Sequence, residues 1–280
     1  MSTQKSIATI QDISGFGRCS LTVALPLLSV SGLQTAVIPT AVLSTCTGEF
    51  VGNTFHDLTQ DIEPIAEHWK REKLQFDAIY TGYLSNETQV LKCINAINIL
   101  KTEKTKIIVD TAMGDNGKLY SGFSKSFPQF MLRLCKVADI ITPNITEACA
   151  LTGIPYNDGI CSEEFVTGLL KSLYCQTKAK IILTGVSFEE RKIGVAIFDS
   201  GEISYIFTEK YPISFHSTGD VFASVFSGAL ISGRSLKASA QIAVNFVSSC
   251  IKQTIDDNTD SRFGVNFEKQ IPNLIKHLEI

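Results

Sequence analysis

The sequence predicts an α/β fold of three layers, α/β/α, in which a central and mostly parallel sheet is covered by helices on both faces. Two observations lead there. Short β-type runs alternate along the chain with longer helical stretches, and several of these runs are almost wholly apolar, as strands buried on both faces must be. Repetition of strand, helix and strand builds a parallel sheet through right-handed crossovers. A third observation concerns domain organisation. No linker, low-complexity tract or short-period repeat interrupts residues 1–280, so one domain is expected over that length.

The expected strands, in order, are Ser6–Gln11, Gln34–Pro39, Phe76–Tyr80, Lys106–Asp110, Ala138–Thr142 and Lys180–Thr184. Helical patterning fills the gaps at Ser20–Ser31, Ile62–Lys73, Glu87–Lys101, Lys125–Lys136 and Glu163–Gln176. Lys192–Phe198 and Ile203–Phe207 read as an antiparallel pair turning around Asp199–Gly201, and two final helices, Asp220–Ser232 and Leu236–Thr254, are expected to close the chain. Ligands of an open α/β sheet bind beyond the carboxyl ends of the strands. That rule selects Asp12–Arg18, Thr40–Gly48, Thr81–Leu84, Thr111–Tyr120, Pro143–Glu147 and Thr184–Phe188.

Composition narrows the function. With 44% apolar residues the chain can bury a substantial core. A formal net charge of -3 argues against a nucleic-acid partner, because polyanion surfaces need clustered Lys and Arg. No apolar stretch reaches the roughly 18 to 20 residues of a spanning helix, and Met1–Ile10 resembles neither a signal peptide nor an anchor. The eight cysteines are scattered, without a Cys-x-x-Cys pair or a His at zinc-site spacing. They read as structural thiols of a reducing compartment, so a cytoplasmic chain is expected.

Three segments carry candidate chemistry. The first is His216-Ser-Thr-Gly-Asp220, followed at once by an apolar helical run. A small-residue turn that opens a helix leaves unpaired N–H groups at its mouth, which binds phosphate. Asp220 in the first turn is placed to accept a hydroxyl proton, while the amides of Ser217, Thr218 and Gly219 face charge developing on a transferring phosphoryl group. The same residues also fit an ordinary helix start, with Ser217 or Thr218 as cap and Asp220 complementing the dipole.

The second segment is Asp139-Ile-Ile-Thr-Pro-Asn144-Ile-Thr-Glu147. Asn144 and Glu147 have the spacing of a capping pair, and they also lie at a strand's carboxyl end, where few protein ligands suffice for a hydrated Mg²⁺. The third begins at Asp110, which ends a buried strand and leads into a Gly-rich polar run from Gly114 to Tyr120. That run suits a flap over phosphates or a plain surface loop. Two familiar phosphate motifs are excluded. Gly15-Phe-Gly17 has Ser20 where the dinucleotide fingerprint needs its third Gly, and no Gly-x-x-x-x-Gly-Lys-Ser/Thr run exists.

Four landmarks in this order, Ile10-Gln11, Thr81-Gly82-Tyr83, Thr142-Pro143-Asn144 with Glu147, and Ser217-Thr218-Gly219-Asp220, resemble the pyridoxal/pyridoxine/pyridoxamine (vitamin B6) kinases of the ribokinase-like superfamily over essentially the full length. The resemblance implies transfer of the ATP γ-phosphoryl group to the 5′-hydroxymethyl of a B6 vitamer, with Mg²⁺ bridging phosphates. It admits a monovalent cation such as K⁺ and implies a homodimer. By the same resemblance Asp220 is the general base and Ser217, Thr218 and Gly219 form the anion hole. ATP is approached by Asp110, Asp115, Tyr120, Thr142, Asn144, Thr184, Gly185, Thr218 and Gly219, with Asp115 to Tyr120 as the flap. Asp110, Asn144 and Glu147 organise Mg²⁺, while Asp12, Thr47 and Tyr83 join Asp220 around the pyridine ring. The chain departs from that pattern at Ser217 in place of Gly, Thr111 in place of Pro and Asp12 in place of Ser. The hydroxymethylpyrimidine kinases share fold and chemistry and stand as the alternative, beside a catalytically silent binding relative.

Overall fold

A computed structural model describes residues 4–46, 50–213 and 215–279. In chain order the elements begin β1 (Ser6–Ser14), α1 (Leu21–Val30), β2 (Gln34–Leu43), β3 (Phe55–Asp57), α2 (Ile62–Arg71), β4 (Ala78–Thr81), α3 (Glu87–Leu100) and β5 (Lys106–Val109). A small hairpin, β6 (Gly114–Asp115) and β7 (Lys118–Leu119), precedes α4 (Phe127–Cys135), β8 (Ile140–Ile141), α5 (Ile145–Thr152) and α6 (Glu163–Thr177). The chain continues through β9 (Lys180–Glu189), β10 (Lys192–Asp199), β11 (Glu202–Glu209), α7 (Thr218–Ile231), α8 (Leu236–Asp256) and α9 (Ile271–Leu278).

The main sheet has the order β11-β10-β9-β8-β5-β4-β1-β2-β3. Its centre, from β2 through β1, β4, β5 and β8 to β9, is parallel. Antiparallel strands flank it, β10 and β11 on one side and β3 on the other. Side chains alternate across this sheet with a period of two. Ile107 and Val109 of β5 face the layer of α2 to α6, whereas Ile108 between them faces α1, α7, α8 and α9. Ile181, Ile182 and Leu183 of β9 repeat the pattern. Each fully buried Ile or Leu of this kind contributes about 1.5 to 3 kcal/mol of transfer free energy, which explains the nearly all-apolar strands. The expected three-layer fold is therefore observed.

Several boundaries differ from expectation for physical reasons. β1 and β2 run past their expected ends to Ser14 and Leu43, with a register irregularity between Gln11 and Ile13 that re-aims the last residues. β8 shrinks from the expected Ala138–Thr142 to Ile140–Ile141, because the Asp139 carboxylate binds the Ile107 amide and Pro143 has no N–H to extend the ladder. The chain does not end with α8. Two 3₁₀ turns, Ser261–Phe263 and Glu268–Gln270, lead into α9, a short helix with Pro in its first turn that buries Leu274 and Leu278. Among the described residues no disulfide forms, and six of the eight cysteines are buried. Among the described residues, no helix is long and apolar enough to cross a membrane.

Candidate active site

The carboxyl ends of the parallel strands bring several of the expected residues to one rim. Asp12 lies near the end of β1, Asp110 follows β5, Thr142 follows β8, and Asp220 enters from the first turn of α7. Two landmarks meet directly here. A Cβ on Gly82 would come within 2.2 Å of the Gln11 side-chain oxygen, so a side chain there would displace the buried Gln11 carboxamide.

α7 begins without a cap. Ser217 has φ 65 and ψ 11, in the left-handed region, and its side chain accepts no cap hydrogen bond. N-cap residues normally take extended dihedrals that aim their oxygen at the N2 or N3 amide; the positive φ removes that option. The mouth stays open, since a Cβ on Gly219 would meet no atom within 4 Å. Asp220 sits three residues past Ser217, and its Oδ2 accepts a hydrogen bond from the Ser20 amide at 3.1 Å. Ser20 is the residue before α1, so two helix starts converge on one carboxylate. Burial first, then the charges of Asp12, Cys46 and Glu147, push the Asp220 carboxyl up to about 7, while the Ser20 amide works in the opposite direction. Asp220 is half-buried, so some solvent still reaches it.

α5 begins in the opposite manner. Asn144 is extended, at φ -84 and ψ 175, and forms a complete capping box with Glu147. Its Oδ1 accepts from the Glu147 amide at 2.9 Å, and Glu147 Oε2 accepts from the Asn144 amide at 2.9 Å. Asn144 Nδ2 donates to the Gly114 carbonyl at 2.8 Å. Glu147 also accepts from the Thr111 hydroxyl at 2.8 Å and from the Met113 amide at 2.9 Å. Burial pushes the Glu147 carboxyl up, and these donors oppose the shift. Asp110 is raised by burial and by repulsion from Glu147 and Asp220, against hydrogen bonds from the Ala112 and Thr111 amides.

Asp12 is buried, with its Oδ2 bonded to the Ser14 hydroxyl at 3.2 Å and its Oδ1 unpartnered among the described residues. Burial raises its carboxyl. The Thr142 hydroxyl is likewise buried and unpartnered. Thr184 sits inside β9, not after it, bridged to Asn144 and donating its amide to the Pro143 carbonyl at 2.8 Å. Gly185 falls at the irregularity where β10 pairs past it, Val195 with Thr184 and Gly194 with Val186. Asp115 is exposed in β6 and accepts from the Asn116 amide at 2.8 Å. Tyr83 and Tyr120 both stand against Phe123, with ring centroids 5.7 and 6.5 Å away. Thr47 lies outside the described residues.

Sequence reasoning gave no site role to Ser20, Thr111, Thr146 or Phe123, although Thr111 and Thr146 fall within the strand-exit segments it selected. Ser20 reaches Asp220 across 200 positions and Thr111 reaches Glu147 across 36. No local pattern reports such distant contacts; the only signal is that both residues sit at strand-exit loops.

Residues 40–263 match the family model for phosphomethylpyrimidine kinase. A Caenorhabditis elegans protein described as "Putative pyridoxal kinase" is 28% identical over 52% of this chain and 46% of its own length. A Bacteroides thetaiotaomicron protein described as a "putative phosphomethylpyrimidine kinase", solved with pyridoxal, is 36% identical at a TM-score of 0.91, covering 97% of this chain and 96% of its own. The pyridoxal kinase of Lactobacillus plantarum is 30% identical at a TM-score of 0.89 and covers 98% of both chains. The chain is thus a kinase-family protein on the ribokinase-like fold, and it belongs to the phosphomethylpyrimidine kinase family, with pyridoxal kinases among its relatives.

Proposed function

We propose that the protein transfers the γ-phosphoryl group of ATP to the 5′-hydroxymethyl group of a vitamin B6 vitamer, with Asp220 as general base. The observation that carries this reading is the start of α7: an uncapped helix mouth beside a carboxyl held near 7. A group with that pKa is poised to take a hydroxyl proton near neutral pH. The amides of Thr218 and Gly219 lie on the open side, where the charge of a transferring phosphoryl group is stabilised by donors already in place. Catalysis of this kind is mainly positioning and charge neutralisation.

The acidic rim fits Mg²⁺ held largely through water and phosphate. None of Asp110, Glu147 and Asp220 takes part in an ion pair among the described residues, and Asp110 is raised by both of the others. Among the described residues, no group of three or more His, Cys, Asp or Glu forms a ready metal cage. Asp110 and Glu147 are the residues that would hold the ion, and when bound it supplies charge neutralisation of the phosphates. Both ends of the Asn144 side chain are engaged, so Asn144 acts there through Glu147. Thr142, with its unpartnered hydroxyl, and Thr184, bridged to Asn144, flank the nucleotide side. Asp12 and Tyr83 belong to the acceptor side, and the unpartnered Asp12 Oδ1 offers a protonated ring nitrogen its acceptor.

A second reading, phosphorylation of hydroxymethylpyrimidine, is supported by the family model that matches residues 40–263. One assay separates the two. Purified protein with MgATP is offered pyridoxal, pyridoxine, pyridoxamine and hydroxymethylpyrimidine, and the phosphorylated products are identified by mass. A 5′-phosphate from one or more of the B6 alcohols is expected. Product from the pyrimidine alone would replace the first reading by the second, and product from none of the four would leave a binding relative.

A further inference from the structure

The loop that leaves β5 does not hang free over the site; it is fastened at successive points to the start of α5. Thr111 donates its hydroxyl to Glu147 Oε2 at 2.8 Å, and the Met113 amide donates to Glu147 Oε1 at 2.9 Å. Further along, the Gly114 carbonyl accepts from Asn144 at 2.8 Å and the Gly117 amide donates to the Thr146 hydroxyl at 2.9 Å. Gly117 adopts φ 75 directly over the Tyr156 ring, where an added Cβ would lie 2.7 Å from Cδ1. The hairpin closes on itself through the Tyr120 amide and the Met113 carbonyl at 3.0 Å. Every one of these partners outside the loop lies in α5's first turn or in the segment just after α5.

We propose that Thr111 and Thr146 are positioning residues, which fasten the Gly114–Tyr120 flap and the Glu147 carboxylate to the first turn of α5 as one unit. Thr111 and Thr146 touch opposite ends of the same strap, and each uses a hydroxyl that a valine of equal shape lacks. Thr111 is fully buried and Glu147 nearly so. The hydroxyl is therefore a fixed donor to the carboxylate oxygen that also caps α5. Partners of this kind orient a metal-organising carboxylate, and their loss typically weakens metal affinity by about 10- to 100-fold. The Thr146 bond instead sets where the tip of the flap rests. Flap posture and carboxylate orientation are then one structural variable, so nucleotide and metal meet a site already arranged for both.

The consequence for metal and nucleotide rests on the kinase reading above; the fastening itself does not. The test therefore has two arms. Hydrogen exchange over residues 113–120 is measured in the protein without substrate, and binding of ADP is titrated calorimetrically at several Mg²⁺ concentrations. Thr111→Val and Thr146→Val are compared with Thr111→Ser and Thr146→Ser, which keep the hydroxyl. Both Val variants are expected to exchange the flap about tenfold faster than the parent, and both Ser variants to match it within about twofold. Thr111→Val is further expected to need about tenfold more Mg²⁺ for the same ADP affinity. Val variants with parental exchange, or Ser variants altered as much as Val variants, would overturn the fastening. Faster exchange with an unchanged Mg²⁺ requirement would overturn its coupling to Glu147. A parent protein that binds no MgADP would remove the kinase reading and with it that coupling, and would leave the exchange arm to judge the fastening.

Discussion

α5 and α7 start with the same sequence logic and arrive at opposite structures. Asn144-Ile-Thr-Glu147 and Ser217-Thr-Gly-Asp220 each place a capping residue three positions before an acid. At α5 the box closes, and the Glu147 carboxylate is surrounded by donors from its own turn and from the Thr111–Met113 loop. At α7 the left-handed Ser217 keeps the box open, and Asp220 turns to the Ser20 amide of another helix instead. The acid's neighbours, not its position in the turn, decide how many donors it meets. Glu147 accepts three hydrogen bonds, from the Asn144 and Met113 amides and the Thr111 hydroxyl, whereas Asp220 accepts from the Ser20 amide beside the open mouth of α7.

The largest difference to test is catalytic. Asp220→Asn keeps shape and removes the proposed base, so turnover is expected to fall by about 10² to 10⁴ while binding of both substrates persists. Steady-state kinetics together with nucleotide titration check this, and near-parental turnover would remove Asp220 from its role. The parent's own pH profile sharpens the point. Asp220 must be ionised to accept a proton, and its carboxyl lies at about 7. Activity is therefore expected to fall about tenfold per pH unit below that value and to level off above it. The same raised pKa has a stability consequence of opposite sense. A carboxyl that is protonated more readily folded than unfolded contributes stability at low pH that is lost as pH rises through about 7. Asp220→Asn should thus gain stability relative to the parent at pH 8 and lose that advantage near pH 4.

Glu147→Gln is expected to behave as the structural member of the pair. The amide nitrogen that replaces one oxygen brings a donor against donors, Asn144 and Thr111 on one side or Met113 on the other. A cost of about 1 to 3 kcal/mol follows at neutral pH, read as a lower denaturant midpoint with unchanged slope. If Glu147→Gln were as stable as the parent, the capping box would not be the reason for Glu147's burial.

The contrast also explains what could be read in advance. Runs such as Lys106–Asp110 and Lys180–Thr184 announce central strands because burial on both faces leaves no room for polar alternation. With the strands placed, Asp12 and Asp110 fall at the rim, while Asp220 is legible from the small-residue turn that opens its helix. The capping pair at Asn144 and Glu147 is legible because its partners lie three residues apart. The open state of α7 is not, because it depends on the dihedrals of Ser217 and on Ser20, which the fold brings from the other end of the chain. α9 escapes for a related reason: its eight residues carry only two fully sheltered leucines, too short a period to stand out.

The smallest expected effect separates the two helix starts most cleanly, because one substitution should carry opposite signs. A non-glycine residue in the left-handed region costs about 1 to 2 kcal/mol, and a glycine loses about 0.5 to 1 kcal/mol more chain entropy on folding. At Ser217, whose φ is 65 and whose side chain makes no cap bond, nothing else is lost on truncation. Ser217→Gly should therefore stabilise by about 0.5 to 1 kcal/mol, with turnover at or above the parent because the amides at the mouth keep their backbone path. At Asn144 the backbone is extended and the side chain holds both the Glu147 amide and the Gly114 carbonyl. Asn144→Gly should destabilise by about 1 to 2 kcal/mol. Paired denaturant titrations of the two variants check the signs. Two losses would mean that Ser217 is not strained where it stands, and two gains would mean that the closed box at α5 does not hold the helix start.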